Sequence, residues 1–266
     1  MRYSLFTCFG IFCGFYLYKK EFSIFGKSWE KYLSLAMGIF LIIFSHLSGV
    51  RSGLLAFYVI VGLAVLYFII KEKRIALGLS IAGGTIMLIV CMVLFSPRVQ
   101  QKIKTTFEDL ETFDDKHEAN FNSLHNRVVS YEVGMKVWEK GKWFGVGSGN
   151  LEREVYIIFS KYYDHIFLPK RIMPHSQYIY YGAAYGIIGL CLFLFSFYYP
   201  LFTSHNYKNS LFGIHYIIIS ISFLVEATLE TQLGSLFCFV FIFFPLYFLG
   251  NNEIKVSSST QKELSN

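Results

Sequence analysis

Over 266 residues the chain is 16% charged and 19% aromatic, with a formal net charge of +6 and a mean hydropathy of +0.46. Soluble domains hold about 25% charged residues, so a soluble enzyme built on one water-excluded core is excluded. Much of the basic excess flanks long apolar runs, which reads as membrane topology and argues against nucleic-acid binding. The five cysteines, Cys8, Cys13, Cys91, Cys191 and Cys238, all lie in apolar runs with no CxxC pair, which argues against a disulfide framework or a zinc site.

Taken in order, the apolar runs predict an all-α polytopic membrane protein of about seven spans. They cover about Tyr3–Tyr18, Tyr32–Leu47, Leu54–Ile70 and Ile75–Phe95, then 176–199, Leu211–Thr228 and Leu233–Leu249. The implied organisation is four spans in 1–95, a large polar loop over 96–174, three spans in 175–250 and a polar tail over 251–266. The first run lacks the basic start and small-residue cleavage site of a signal peptide. Lysine and arginine in the short links at 19–31 and 71–74, with Lys255 and Lys262 in the tail, place those segments in the cytoplasm. The turn around Arg51, the 96–174 loop and residue 1 then fall on the outer side.

Inside the loop, Asn126 to Trp138 has the apolar spacing of an amphipathic helix, expected on the outer membrane surface with its aromatic residues among headgroups. A turn-rich segment, Gly141 to Asn150, follows it. Its Gly145-Val146-Gly147-Ser148-Gly149 run has the backbone N–H groups to cradle a phosphate. It lacks the Lys-Ser/Thr of a P-loop and follows no strand.

Pro174-His175-Ser176 opens the fifth apolar run. On one continuous helix, at about 100° per residue, His175, Gly182, Gly186 and Gly189 share roughly a 60° arc. Glycines on one face admit a close neighbouring helix. The histidine then points into the bundle, in a first turn whose positive end favours neutral imidazole and draws anions. A neutral imidazole there is a candidate general base.

Other candidates carry two readings each. Arg51, between Ser48-Gly49 and Ser52-Gly53, either faces a wet, anion-bearing cavity or snorkels to headgroups. Arg127 either binds an anion or is a solvated loop charge, and His125 beside it is weaker. Glu226 and Glu230, four apart at the outer end of the sixth run, either share a helix face that holds an acceptor or mark the end of the span. Lys170 and Arg171 are candidate sources of positive potential near His175.

These residues carry a resemblance. His175-Ser176, then Gly186 and Gly189, resembles the signature near the C-terminus of the bacterial O-antigen ligase family. Ser48-Gly49-Val50-Arg51-Ser52-Gly53 resembles that family's Ser-x-Ser-Arg-x-Gly turn, with Gly49 where a serine is often seen. His125, Arg127, Gly134, Trp138 and Phe144 to Asn150 resemble its loop. The likeness covers most of 40–200. It implies a multi-pass glycosyltransferase of the bacterial cell inner membrane, with its site facing the periplasm. Such an enzyme moves a glycan from undecaprenyl pyrophosphate to a lipid A-core acceptor. Relatives use another repeat unit or a protein hydroxyl as acceptor. The resemblance implies no cofactor and no metal, assigns Arg51 and Arg127 to the diphosphate, and assigns His175 to activating the acceptor. It also implies about twelve spans with both ends inside, so the seven here read as the last seven, with further spans expected upstream. Two readings of other classes stand beside it: an anionic-lipid carrier that uses the arginines only to bind, and a non-catalytic remnant.

Overall fold

The computed structural model describes residues 3–49, 51–112, 122–167 and 171–243; the side chains of Arg51 and Ser204 lie outside that description. Every regular element among them is helical. In chain order they are α1 (Tyr3–Lys19), α2 (Trp29–Ser48), α3 (Arg51–Leu66), α4 (Ile75–Phe95), α5 (Pro97–Glu111), α6 (Ser123–Lys140), α7 (Ser148–Tyr162), α8 (Gln177–Phe202), α9 (Ser210–Val225) and α10 (Gln232–Phe243). A π-helical turn over Tyr67–Lys71 extends α3.

Four helical stretches are long and apolar enough to cross a membrane: Trp29–Ser48, Ser52–Lys71, Ile75–Phe95 and Gln177–Phe202. Helices α9 and α10 are apolar but shorter, and the expected seventh run, Leu233–Leu249, ends outside the described residues; four of the seven expected spans meet that length and composition among the described residues.

Two cores organise the chain. The first joins α1, α3, α9, α10 and Phe197 of α8 around Leu5, Phe57, Tyr216, Phe223 and Phe237. Edge-to-face aromatic contacts such as Phe6–Phe237, at 4.8 Å, bind it without any need for water exclusion between helices. Helix α4 lies outside this core and buries only Gly78, the pattern of a lipid-facing helix. The second core sits under the polar loop. Val129, Val133 and Val137 of α6 meet Leu151, Val155, Ile158 and Phe159 of α7 and Ala183 and Ala184 of α8.

The amphipathic helix of the loop therefore buries its apolar face against α7 and α8, not in a headgroup layer. Asn122 fixes where it begins. Its side chain accepts from the His125 N–H at 2.8 Å, capping the helix, and donates to the carbonyl of Asp109 at the end of α5.

At 26 residues, α8 would run about 39 Å as one continuous helix, beyond the roughly 30 Å of hydrocarbon core. It is broken at Gly186, where φ is 69° and ψ −172°. The Gly141–Gly147 segment docks into the break. Val146 and Gly147 donate to the carbonyls of Ala183 and Ala184 at 3.0 and 2.9 Å, and Ile187 and Ile188 donate back to Lys142 and Trp143 at 3.0 and 3.2 Å. Those contacts satisfy the polar groups that a broken helix would leave bare inside a membrane.

Candidate functional site

The segment before α8 is held from two sides. Ser176, extended at φ −134° and ψ 130°, is the residue preceding the helix, so His175 lies outside the first turn and not within it. The reason is tertiary. The Ser176 hydroxyl donates to the carbonyl of Phe223 at 3.1 Å instead of capping its own helix. Gln177, fully buried, accepts from the Leu229 N–H at 2.8 Å and donates to Glu230 Oε1 at 3.2 Å. From the other side, the His175 N–H donates to Ser130 Oγ of α6 at 3.4 Å.

Ser130 connects two candidates. Its hydroxyl donates to the carbonyl of Arg127 at 2.7 Å, one turn earlier on the same helix. Arg127 and His175 thus stand on backbones that meet at one serine, and both side chains are half-buried. Pro174 packs against Gly134, where an added Cβ would come within 2.8 Å of the proline ring. That contact presses the 174–176 segment against α6.

Glu226 joins them. Helix α9 ends at Val225 and Glu226 is extended, at φ −148° and ψ 146°. Glu230 lies in a separate 3-10 turn, Thr228–Glu230. The two glutamates therefore do not share a helix face. Glu226 is buried, whereas Glu230 is exposed and bonded to Gln177. Buried hydroxyls account for the break after Val225: Ser222 and Thr228 bond to each other at 2.5 Å, and the Thr228 carbonyl accepts from Thr231 at 3.0 Å. The Tyr131 hydroxyl donates to the Leu224 carbonyl at 3.3 Å. Burial raises the Tyr131 phenol above its ordinary value, while the Arg127 guanidinium opposes the rise and the Glu226 carboxylate adds to it. Arg127 and Glu226 thus act on the same phenol.

Arg51 begins α3, and its side chain lies outside the described residues. Its turn is nonetheless located. Gly49, left-handed at φ 58°, caps α2 and donates to the carbonyls of Ser45 and His46. Ser52 Oγ lies 3.3 Å from Ser4 Oγ at the start of α1. Phe6, half a turn on, contacts Phe237 in the middle of α10. The Arg51 turn therefore packs on the first turn of α1, beside the core that α9 and α10 share.

The three glycines after His175 each meet something different. A Cβ on Gly182 would lie 2.6 Å from the Trp138 ring, and one on Gly186 would lie 2.2 Å from the carbonyl carbon of Trp143. Gly189 faces its own helix's Tyr185. The close approach is made by α6 and the glycine-rich turn, not by a neighbouring membrane helix, and the break removes the single continuous face. That turn uses its N–H groups internally: Gly145 donates to Gly141, and Val146 and Gly147 donate to α8. Those three donors are therefore not available to cradle a phosphate.

Arg171 bonds to Ser160 Oγ and the Ile166 carbonyl, which pins it toward α7; Lys170 lies outside the described residues. Among the described residues, no group of three His, Cys, Asp or Glu side chains is placed to hold a metal ion.

A family model described as O-antigen ligase matches residues 35–194, more than half of the chain, from within α2 to about two thirds of the way along α8. The chain belongs to the O-antigen ligase family. Membership makes it a membrane glycosyltransferase of the O-antigen ligase and polymerase superfamily, with glycan-linked lipid among its substrates. A search of curated proteins finds no match. The matched region contains Arg51, Arg127 and His175 but stops short of Glu226 and Glu230.

Ser130, Tyr131 and Gln177 were not singled out from the sequence. Gln177 directly follows the His-Ser pair in a run that is apolar thereafter, which is the signal that could have found it. For Ser130 and Tyr131, one helical turn from Arg127, nothing in the local pattern separates them from surface polar residues.

Proposed function

We propose that this protein transfers a glycan from undecaprenyl pyrophosphate to a lipid A-core acceptor on the periplasmic face of the bacterial inner membrane. The observation that carries the reading is the serine-linked meeting of the Arg127 and His175 backbones.

In this reading the acceptor hydroxyl attacks the anomeric carbon of the glycan. The bond from that carbon to the diphosphate oxygen breaks, and undecaprenyl pyrophosphate leaves with the electron pair. His175 takes the acceptor proton as attack proceeds, a contribution of about 10²–10⁴-fold. Arg51 and Arg127 hold the diphosphate through paired, charge-assisted hydrogen bonds and stabilise its growing negative charge. Glu226 acts on the same Tyr131 phenol as Arg127. Charge neutralisation by arginine makes the diphosphate a competent leaving group, so the reading calls for no metal and no nucleotide sugar.

The test is transfer by Arg127→Lys and Arg127→Ala at matched membrane levels. The lysine variant keeps the charge but loses the bidentate fork, so transfer should fall strongly in both and further in alanine. Normal glycan-capped lipopolysaccharide from Arg127→Ala would overturn the assignment. Product length separates ligase from polymerase. A ligase delivers preformed chains to lipid A-core, whereas a polymerase changes the chain-length distribution of the lipid-linked pool.

A further inference from the structure

Helix α8 doubles back where it breaks. The hydroxyls of Tyr178 and Tyr198 lie 3.1 Å apart, and the rings of Tyr181 and Phe193 are 4.6 Å apart between centroids. On a straight helix those pairs would stand about 30 and 18 Å apart along the axis, farther than two side chains reach. The part left to cross a bilayer is 187–202, which rises about 24 Å against a hydrocarbon core of roughly 30 Å. Its top, at Gly186, therefore lies close to the hydrocarbon edge and does not stand clear of it. Ile188, Leu192, Phe195, Tyr199 and Phe202 run down this part at i, i+4, i+7, i+11 and i+14, and all are exposed. An unbroken exposed apolar stripe on a spanning helix faces acyl chains.

The glycine-rich turn is fastened to the top of that stripe, where the carbonyls of Lys142 and Trp143 accept from the Ile187 and Ile188 N–H groups. Trp143 is 59% exposed and Phe144 79%, neither belongs to either apolar core, and Lys142 is exposed beside them. The same turn joins α6 to α7, the two helices packed on the first half of α8. Those helices carry exposed Glu132, Glu139, Lys140, Glu152 and Arg153, charges too costly to place in hydrocarbon. Helices that need water thus end, and the lipid-facing stripe begins, at one turn. A cation next to tryptophan and phenylalanine at that level suits the headgroup zone, where an aromatic body meets acyl chains and a charge meets phosphate.

We propose that the Lys142-Trp143-Phe144 tip is a membrane anchor, seated in the headgroup zone of the leaflet nearest the 96–174 loop. Four backbone hydrogen bonds make the tip rigid on α8, so its depth fixes the height of α6, α7 and the first half of α8 over the bilayer. The occupant of this apolar tip is lipid and not a second copy of the chain, because the tip continues the stripe that already faces acyl chains. The loop thus meets the membrane through its turn and not through α6, whose apolar face is taken up by α7 and α8. The assignment requires no particular substrate.

The experiment places the purified full chain in phosphatidylcholine nanodiscs and reads the emission of Trp143 as the difference between wild type and Trp143→Phe. Lipids brominated near the glycerol end of the acyl chain should lower that emission at least twofold. Lipids brominated near the chain terminus should lower it distinctly less, and aqueous iodide should barely act. Leu192→Trp, lower on the stripe, should show the reverse order of the two lipids. Strong iodide quenching of Trp143 with no effect of either lipid would put the turn in water and overturn the proposal. Emission indifferent to all three quenchers would also overturn it, since that is the result of cover by a second copy. Strongest quenching by the deeper bromine, matching Leu192→Trp, would place the turn inside the hydrocarbon and overturn the anchor. Iodide-quenched Leu192→Trp would remove the lipid-facing stripe and the proposal with it. Should Trp143→Phe elute as aggregate, Phe144→Trp supplies a second readout. Its added emission, read against wild type, must follow the order expected of Trp143, and any other order would overturn the assignment.

Discussion

The break in α8 makes a sharp prediction for Gly186→Ala. The backbone at Gly186 occupies φ 69° and ψ −172°, a region that costs a residue with a side chain about 1–3 kcal/mol. The new Cβ would also sit 2.2 Å from the Trp143 carbonyl carbon and 2.4 Å from the Phe144 nitrogen. Both atoms are backbone, so no rotamer change relieves the overlap and the glycine-rich turn must lift away. Four hydrogen bonds join that turn to α8, each contributing about 0.5–1.5 kcal/mol. Losing even half of them on top of the backbone strain puts the total cost at about 2–6 kcal/mol. Gly149→Ala is the matched control. Nothing lies within 4 Å of a Cβ there, and alanine suits α7 better than glycine by up to about 1 kcal/mol. Unfolding of both purified variants, followed by intrinsic tryptophan fluorescence, reports directly because Trp138 and Trp143 flank the docked turn. Gly186→Ala should melt well below wild type and Gly149→Ala at or slightly above it. Equal melting of Gly186→Ala and wild type would refute the docking argument.

Three further outcomes are expected. Gln177→Leu removes the acceptor for the Leu229 N–H and the donor to Glu230. Amide exchange at Leu229 should therefore speed up markedly, and unchanged protection would show that Gln177 does not hold this segment. Tyr131 titrates above its ordinary 10.0 in the folded protein. Its contribution to stability is complete below that value and is lost as pH rises through the folded-state value. Tyr131→Phe should thus flatten the alkaline side of the stability curve above pH 10 and leave the neutral region parallel to wild type; an identical alkaline slope would contradict this. Glu21 and Lys31 pair at 2.8 Å on an exposed link. Glu21→Gln should leave the melting temperature unchanged within error, because exposed pairs contribute little, and a large drop would contradict the placement of that link in solvent.

The span positions were legible because apolar runs of membrane length have few alternative readings. The predicted Ile75–Phe95 matches α4 residue for residue, and the second and fifth runs agree with α2 and α8 to within three residues at each end. The polar loop was less legible. Leu151, Val155, Ile158 and Phe159 carry the i, i+4, i+7, i+8 spacing of α7, a pattern the sequence reading, which ends at the turn-rich Gly141–Asn150 stretch, does not include. The ends of α8 and α9 were not legible at all. Ser176 and Glu226 leave helical geometry because of partners about 50 residues away or buried hydroxyls nearby, and no local propensity encodes either. The break at Gly186 is of the same kind, since glycine inside an apolar run signals close packing and loss of the helix equally well. The candidate site was legible chiefly through the family resemblance. Composition and spacing nominated His175 and Arg51, while the serine that joins Arg127 to His175 emerged only from the fold.

The most direct test of the account is the glycan-transfer rate of His175→Ala measured beside wild type at equal membrane abundance, with the undecaprenyl pyrophosphate-linked donor supplied. The account predicts a fall of about 10²–10⁴-fold with donor binding retained, as expected for loss of a general base. Transfer at the wild-type rate would contradict it.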